Sequence, residues 1–380
     1  MSENFDITLV GLGASSLQFA WGIKDLPYFR NKKILFIDPQ PDFQKSWCFW
    51  HSGTHPCDYF VTHQWDRLKF SFKDFSKEEQ IASYQYRYIP ASAMFDWFFS
   101  EGLTRHPNWH YLKDKVISHN QDEYTQTVQT TGDEIHTSIV LDARLEKHQF
   151  LSPHLWQHFR GWFVEFDEPI LDSSTATLMD FSLTSDAVWP TFFYVLPFSS
   201  TSCLIEATVF SSEVWPTHQY DTLIKEYIST QINNTSYSVK QIETGKIPML
   251  FLKNEANYSS RYFKIGGAAG MIKPSTGYTF NRITAHTLSL INSIQEGSMP
   301  IWEVKERFKF YDEMLLRIIS QNPEVVSKIF FNLFKGNTFH QILSFMDEST
   351  SLQQDMYLLS KLPYLPFLKS FFGWWLSGSK

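Results

Sequence analysis

The chain has 380 residues, room for two or three domains at roughly 150 residues each. Its 33 Lys and Arg against 40 Asp and Glu leave a net charge of −7 with no basic stripe, which argues against a nucleic-acid partner, and its three cysteines exclude a disulfide framework and point to a reducing compartment. Hydrophobic residues at 43% exclude a disordered chain, and 35 Phe, 17 Tyr and 13 Trp offer more flat apolar surface than the core needs, which points to a large apolar ligand.

The opening MSENFDITLVGLG has neither a charged leader nor an apolar h-region, so no secretory signal is expected. Phe5 to Val10 reads as a short buried strand, and the stretch from Ala14 through Lys24 as a helix. Lys33 to Asp38, KILFID, is a second strand ending in an acid. Strand, helix and strand make a βαβ unit, hence a parallel sheet covered on both faces. Between the first strand and the helix lies Gly11-Leu12-Gly13-Ala14-Ser15-Ser16. Gly11 and Gly13 allow a tight turn and close approach of backbone N–H groups to a pyrophosphate at the positive helix end. Ser16 is the third small residue, which lets helix and strand pack closely, and Asp38 is placed to accept from a ribose hydroxyl.

Ala91 to Arg105 reads as helical, and Trp109–Ser118, Tyr124–Thr130 and Glu134–Asp142 as strands, with a turn at Gly132-Asp133. Leu141-Asp142-Ala143-Arg144 ends a strand where flavin-type folds return to the cofactor domain, which makes Asp142 a candidate cofactor residue. From Gly161 to Phe210 a strand-rich block alternates less regularly than a half-exposed sheet, so one buried face carrying the ligand is expected. Arg261 to Gly266 is a late strand, Gly277 to Gln295 a helix, and from Trp302 the pattern is helical, broken at Pro323, Gly336, Pro363 and Pro366.

In KIGGAAGMIKPSTGYTF, Gly266, Gly267 and Gly270 permit backbone contact with a phosphate or ribityl chain, Pro274 and the Ser275-Thr276-Gly277 turn can present backbone amides at the start of the next helix, and Lys273 beside them is a further candidate cofactor residue. A nucleotide site split between both ends of the chain argues for FAD in an extended pose. The expected architecture is α/β: a Rossmann-like FAD-binding domain of the glutathione-reductase and hydroxylase type, a mixed β-sheet substrate domain and a helical C-terminal part. Its expected segments are 1–150 and 256–300 for FAD, 151–255 for substrate and 301–380 for the helical region.

Glu206 sits in the apolar strand Cys203-Leu204-Ile205-Glu206-Ala207. Burial there would raise its pKa and keep it protonated, as a general acid requires; a strand-end partner for Arg or Lys is the alternative. Trp47, Phe49 and Trp50 wall a ligand or fill the core. The pairs His51/His55 and His154/His158 have i, i+4 spacing, but prolines at 56 and 153 and the absence of a His-Glu-x-x-His pattern argue for structural histidines and no metal. Tyr364 to Leu376, YLPFLKSFFGWWL, is too short to span a bilayer. It either lies in a membrane interface with Trp374 and Trp375 at headgroup level or closes the core as an amphipathic helix.

Taken together these segments resemble the bacterial lycopene cyclases, flavoproteins that close the β-rings of carotenoids. The resemblance runs over nearly the whole length: VGLGASS, FIDPQ, SWCFW (Ser46 to Trp50), Gly161-Trp162, TLMDF, FYVLPF, LIEATVF, Glu243 to Met249 (ETGKIPM) and GGAAGMIKPSTGYTFNRI (Gly266 to Ile283). It implies FAD in the reduced form, with electrons from NADPH or NADH, and a reaction with no net redox change. A linear C40 polyene is protonated at its terminal double bond, the cation is attacked internally, and a proton is lost. The family's key acid falls in a Glu-Asp or Glu-Glu pair; its first position is Glu206 here, and Ala207 replaces the second. Trp47, Phe49, Trp50 and Tyr194 are then expected to line the substrate. The resemblance also implies a protein on the cytoplasmic face of a membrane, drawing an apolar substrate from it. A redox hydroxylase or desaturase and a non-catalytic carotenoid-binding protein are the rival readings.

Overall fold

A computed structural model describes residues 4–122, 125–145, 155–232, 236–252, 261–300 and 302–376, with side chains to 372. Its first sheet is built on the βαβ unit the sequence predicts. Asn4–Val10 pairs in parallel with Ile34–Ile37 on one side and Glu134–Asp142 on the other. Trp109–Leu112 extends one edge in parallel; Gln126–Thr130 and Val116–Gln121 extend the other as an antiparallel ribbon. Tyr262–Lys264 returns from late in the chain to pair with Val140, Leu141 and Asp142. The helices Ala14–Ile23 and Phe280–Glu296 cover one face, burying Leu17, Phe19, Ile283 and Leu290 with Leu9, Phe36 and Leu141. The region 91–105 is helical as expected, with a π turn at Phe98–Gly102 in the middle.

The second sheet has seven strands, in the order Tyr237–Pro248, Trp156–Phe166, Ser202–Ser211, Thr191–Pro197, Thr175–Asp180, Arg67–Phe72 and Phe75–Gln80. The last two come from the segment 1–150, so the substrate sheet is not confined to 151–255. The expectation of one buried face also changes, because both faces are covered. Helix Thr217–Tyr227 packs on one, burying Phe193, Ile205, Ala207 and Val209. The helices from Glu306 onward cover part of the other, over Phe70, Phe181, Phe192 and Phe210. This double cover is why the strands read as continuous apolar runs rather than alternating ones. Ser46–Ser52, His63–Trp65 and Tyr84–Pro90 form a small third sheet between the two large ones.

The C-terminal breaks fall at Asn322-Pro323, Gly336 and Pro363, as expected. Pro366 instead lies inside helix Tyr364–Leu376. It occupies the first turn, where a backbone N–H has no intrahelical acceptor, so its ring costs no hydrogen bond. Among the described residues no helix is long and apolar enough to cross a membrane.

Candidate functional site

The dinucleotide loop is shaped by its glycines. Gly11 has φ +89°, a left-handed conformation, and a Cβ there would lie 3.3 Å from the Cβ of Ala143. Gly13 precedes helix Ala14–Ile23 without a side-chain cap, and no heavy atom lies within 4 Å of where its Cβ would stand. The helix therefore starts with free N–H groups over open space, a fit for a pyrophosphate. Asp38 accepts from Leu12 N–H at 2.7 Å and from Gln40 N–H at 2.8 Å, which fixes the loop and leaves lone pairs for ribose hydroxyls. Ser16 is buried and donates its hydroxyl to the carbonyl of Gly11. The return loop meets this helix at Gly266, with φ +59° and a would-be Cβ 2.7 Å from Ser15 Oγ. Gly270, at φ +76°, and Gly267 close the short turn that follows.

Three candidate cofactor side chains are engaged elsewhere. Asp142 stands beside Val10 in register, yet its carboxylate faces Arg144 at 2.9 Å, Lys264 at 3.3 Å and the Tyr262 hydroxyl at 2.8 Å. Those cations hold it below the ordinary carboxyl range against its burial. Lys273 is buried between Asp312 at 3.0 Å and Glu348 at 2.9 Å, and Ser275 donates to Asp312. All three act as internal ties, whereas the buried Thr276 hydroxyl of the same loop has no hydrogen-bond partner. Pro274 borders a separate cavity of about 650 Å³, whereas Thr276 and Gly277, with φ +72°, border the chamber described next.

That chamber, about 800 Å³, lies between the inner face of the second sheet, the strand Ser46–Ser52 and the start of helix Phe280–Glu296. Its floor is a row across four strands. Glu243 and Glu206 both stand opposite Gly161 on the strand between them, and Tyr194 stands opposite Glu206 on the next. A Cβ at Gly161 would lie 2.8 Å from Leu204 Cδ1, 3.2 Å from Glu243 Cγ and 3.5 Å from Glu206 Cβ. A side chain there would press on Leu204 and Glu243, so glycine leaves the two carboxyls room to meet over it, and they are hydrogen-bonded to each other. Thr208 donates to Glu206 at 2.8 Å, and Ser46 lies 3.0 and 3.2 Å from the two oxygens of Glu243. Desolvation raises both acids above the ordinary carboxyl value, Glu243 further through the charge of Glu206. A pair that cannot ionise fully holds a proton in an apolar, aromatic room.

Tyr194, Tyr278 and Tyr86 wall this row. Tyr194 and Tyr278 hydroxyls are 3.4 Å apart, and Tyr86 lines the chamber with them. Burial raises all three, so their hydroxyls stay neutral. Of the four aromatic candidates, Trp47 and Tyr194 line the chamber. Phe49 and Trp50 do not; Phe49 is stacked on Phe280 and Trp50 packs edge-on against Tyr278, both behind the wall. Asp180, another acid of the middle strands, points to the opposite face of the sheet and accepts from Tyr227 at 2.7 Å. His158 is also on that face, accepting from Tyr220 at Nδ1 and bonded to Ser211 at 2.7 Å, while His154 lies outside the described residues. His55 Nδ1 accepts from Cys57 N–H. Among the described residues no group of three or more His, Cys, Asp or Glu is arranged to hold a metal.

Sequence reasoning missed Glu243 as a site residue, with Gly161, Ser46, Tyr86 and Tyr278. The sequence signal for Glu243 is its place at the head of the ETGKIPM segment; that it alone is buried among exposed neighbours in its part of the strand emerges only in the structure.

Against known proteins, the sequence profile of one family, described as lycopene cyclase protein, matches residues 6–371. No curated protein matches the chain significantly. Among solved structures the chain is similar to a flavoprotein/dehydrogenase from Cytophaga hutchinsonii, with TM-score 0.64 and 12% identity over 98% of this chain and 100% of that one. It is also similar to a geranylgeranyl bacteriochlorophyll reductase-like protein from Thermoplasma acidophilum, with TM-score 0.59 and 11% identity over 97% and 98%. A halogenase in complex with phloroglucinol and FAD matches with TM-score 0.57 and 11% identity over 94% and 85%. At these identities the likeness is one of fold, the mixed α/β fold of FAD-dependent enzymes.

Proposed function

The chain belongs to the lycopene cyclase family, and from that premise we propose that it closes the linear ψ-ends of lycopene into β-ionone rings, by way of γ-carotene to β-carotene. The observation that carries this reading is the neutral-leaning carboxyl pair in an aromatic chamber beside a dinucleotide loop. The chemistry needs a proton delivered to an alkene, shelter of the cation from water, and removal of a different proton. Glu206 is the proposed acid. Desolvation raises its pKa to about 7, so a proton is available to it at neutral pH, and an apolar chamber denies the cation a water nucleophile. The π faces of Trp47, Tyr194 and Tyr278 stabilise the positive charge without attacking it. FAD would be held by the 11–16 loop, Asp38 and the backbone of 266–277. When bound and reduced, with electrons from NADPH or NADH, it would supply an electron-rich face to the cation.

The direct test is expression in bacteria that accumulate lycopene, followed by pigment analysis. Yellow-orange products of unchanged mass with one or two rings are expected; unchanged lycopene in cells that hold the folded flavoprotein would overturn the reading.

The cofactor assignment has its own test in Gly13→Val. Gly13 has φ −102°, which any residue adopts, and nothing stands where its side chain would go. The variant should fold with the wild-type melting temperature and yet purify without flavin absorbance, because valine fills the proposed pyrophosphate space. Undiminished flavin content would move the phosphates elsewhere.

A substrate that dissolves only in bilayers also requires a docking face. Met356, Tyr357, Tyr364, Leu365, Leu368 and Phe372 are all exposed on the last two helices, beside Lys361 and Lys369. We assign this patch to peripheral contact with an anionic cytoplasmic leaflet; the side chains of Trp374 and Trp375 lie outside the described residues. Leu365→Glu with Leu368→Glu should abolish co-sedimentation with anionic phospholipid vesicles and preserve cyclisation of detergent-dispersed lycopene. Unchanged co-sedimentation would remove the patch from this role.

A further inference from the structure

We propose that Glu243 is a second catalytic carboxyl, the base that takes up the ring proton and returns it to Glu206. The inference rests on the cyclase reading and adds the residue that restores the acid after each ring.

Cyclisation is an isomerisation, so one proton enters and one leaves. In the first step the Glu206 O–H proton forms a new C–H bond at C2 of the ψ-end, using the π electrons of the terminal double bond and leaving the cation at C1. The π pair between C5 and C6 then forms the C1–C6 bond, and the cation moves to C5. Loss of the proton on C6 returns its C–H electron pair as the ring double bond. No oxidant or reductant is consumed. C2 and C6 are both bonded to C1 once the ring has closed, so donor and acceptor must act within one another's immediate neighbourhood. Two carboxyls that meet over Gly161 meet that requirement, and among the described residues no other carboxyl lines the chamber beside Glu206 in this way. Asp42 also borders the chamber but is exposed at its mouth. The Ser46 hydroxyl, reaching both oxygens of Glu243, opposes the burial and the Glu206 charge that raise this carboxyl; the pair shares one proton, and the reaction draws on the form in which that proton sits on Glu206. The direct hydrogen bond between the acids is then the path by which the proton goes back to Glu206.

The pair also explains how Ala207 is tolerated where the resemblance leads one to expect a second acid. Ala207 faces helix Thr217–Tyr227 with Ile205 and Val209, away from the chamber. A carboxylate at that position would not reach the chamber from this backbone, whereas Glu243 does.

The experiment compares wild type, Glu243→Gln and Ser46→Ala as flavin-loaded protein on detergent-dispersed lycopene. Groups facing Glu243 are Glu206 on the sheet, Asp42 and Lys45 at the mouth, and Cys48 and Tyr88 on the small sheet. The singly protonated pair is the working form, so wild type should give a bell-shaped dependence of kcat/KM on pH. Glu243→Gln keeps the hydrogen-bonding shape; its kcat should fall about 10²-fold or more with KM little changed, and its acid limb should vanish. Ser46→Ala withdraws a donor from the carboxylate, which raises the pKa of Glu243, so its acid limb should move to higher pH. This shift also serves if Glu243→Gln fails to fold, because a merely structural Glu243 would leave the limb in place. Wild type that cyclises beside a Glu243→Gln of near wild-type kcat, or an unmoved acid limb in Ser46→Ala, overturns this inference alone. Wild type that leaves lycopene unchanged overturns the cyclase reading itself.

Discussion

Glu206→Gln should fold, bind FAD as wild type does and lose cyclisation, with a fall of roughly 10²–10⁴-fold, the usual worth of a positioned proton donor. The amide carbonyl can still accept from Thr208, and the amide N–H can still reach Glu243, so the row across the sheet survives. What is lost is the acidic proton, because an amide cannot protonate an alkene. The variant has a second signature in stability. Burial raises the folded-state pKa of Glu206 above its ordinary value, so its contribution to the fold is full in acid and fades as pH rises through the raised value. Denaturation midpoints of the variant should therefore decline less with rising pH than those of wild type. Near wild-type turnover would move the acid elsewhere, though not to Asp180, which lies across the sheet under Tyr227.

The first loop proposed to hold the cofactor is legible because its features are local. A tight turn, a free helix end and a terminal acid sit within 28 residues of one another, from Gly11 to Asp38, and each leaves its own mark on the chain. The substrate half is assembled across strands far apart in sequence. Glu206 could be found because an acid inside Cys203–Ala207 breaks an apolar run. Glu243 falls in a segment that carries the resemblance, but its role could not be read there, because the run Ser238-Val239-Lys240-Gln241-Ile242-Glu243-Thr244 reads as a polar edge strand in which a Glu is ordinary. Its meaning comes from register: Gly161 places it beside Glu206, and register is set by pairing that no local pattern encodes. The same limit hid the internal ties of three candidate cofactor residues. Asp142, Lys273 and Ser275 stand on loops that approach the cofactor space, yet each finds an oppositely charged or polar partner on an element distant in the chain.

Lys273→Met should destabilise the protein by about 3–5 kcal/mol, the cost of breaking a buried ion pair by removing one partner. The ammonium is 5% exposed, between Asp312 on helix Glu306–Gln321 and Glu348 beyond the capping-box helix Phe339–Met346. Methionine matches its length but leaves Asp312 buried with only Ser275 as donor, while Glu348 keeps Arg282 at 3.0 Å. Desolvation already raises Asp312, and the charge of Lys273 is what opposes it. Without that charge Asp312 takes up a proton more readily in the folded state. The deficit should therefore be largest at neutral and alkaline pH and shrink in acid. Equilibrium denaturation across pH, followed by tryptophan fluorescence, measures it, and adding Asp312→Asn to Lys273→Met should recover part of the loss by removing the stranded charge. The same tie carries a functional consequence. Lys273 and Ser275 are the points at which the C-terminal helices grip the loop proposed to hold FAD, and Ser370 of the last helix bonds to Met314, two residues from Asp312. A loosened tie should show as faster release of FAD from Lys273→Met on dilution. A variant that loses stability but holds FAD as tightly as wild type would mean that the loop's backbone keeps its shape without the helices.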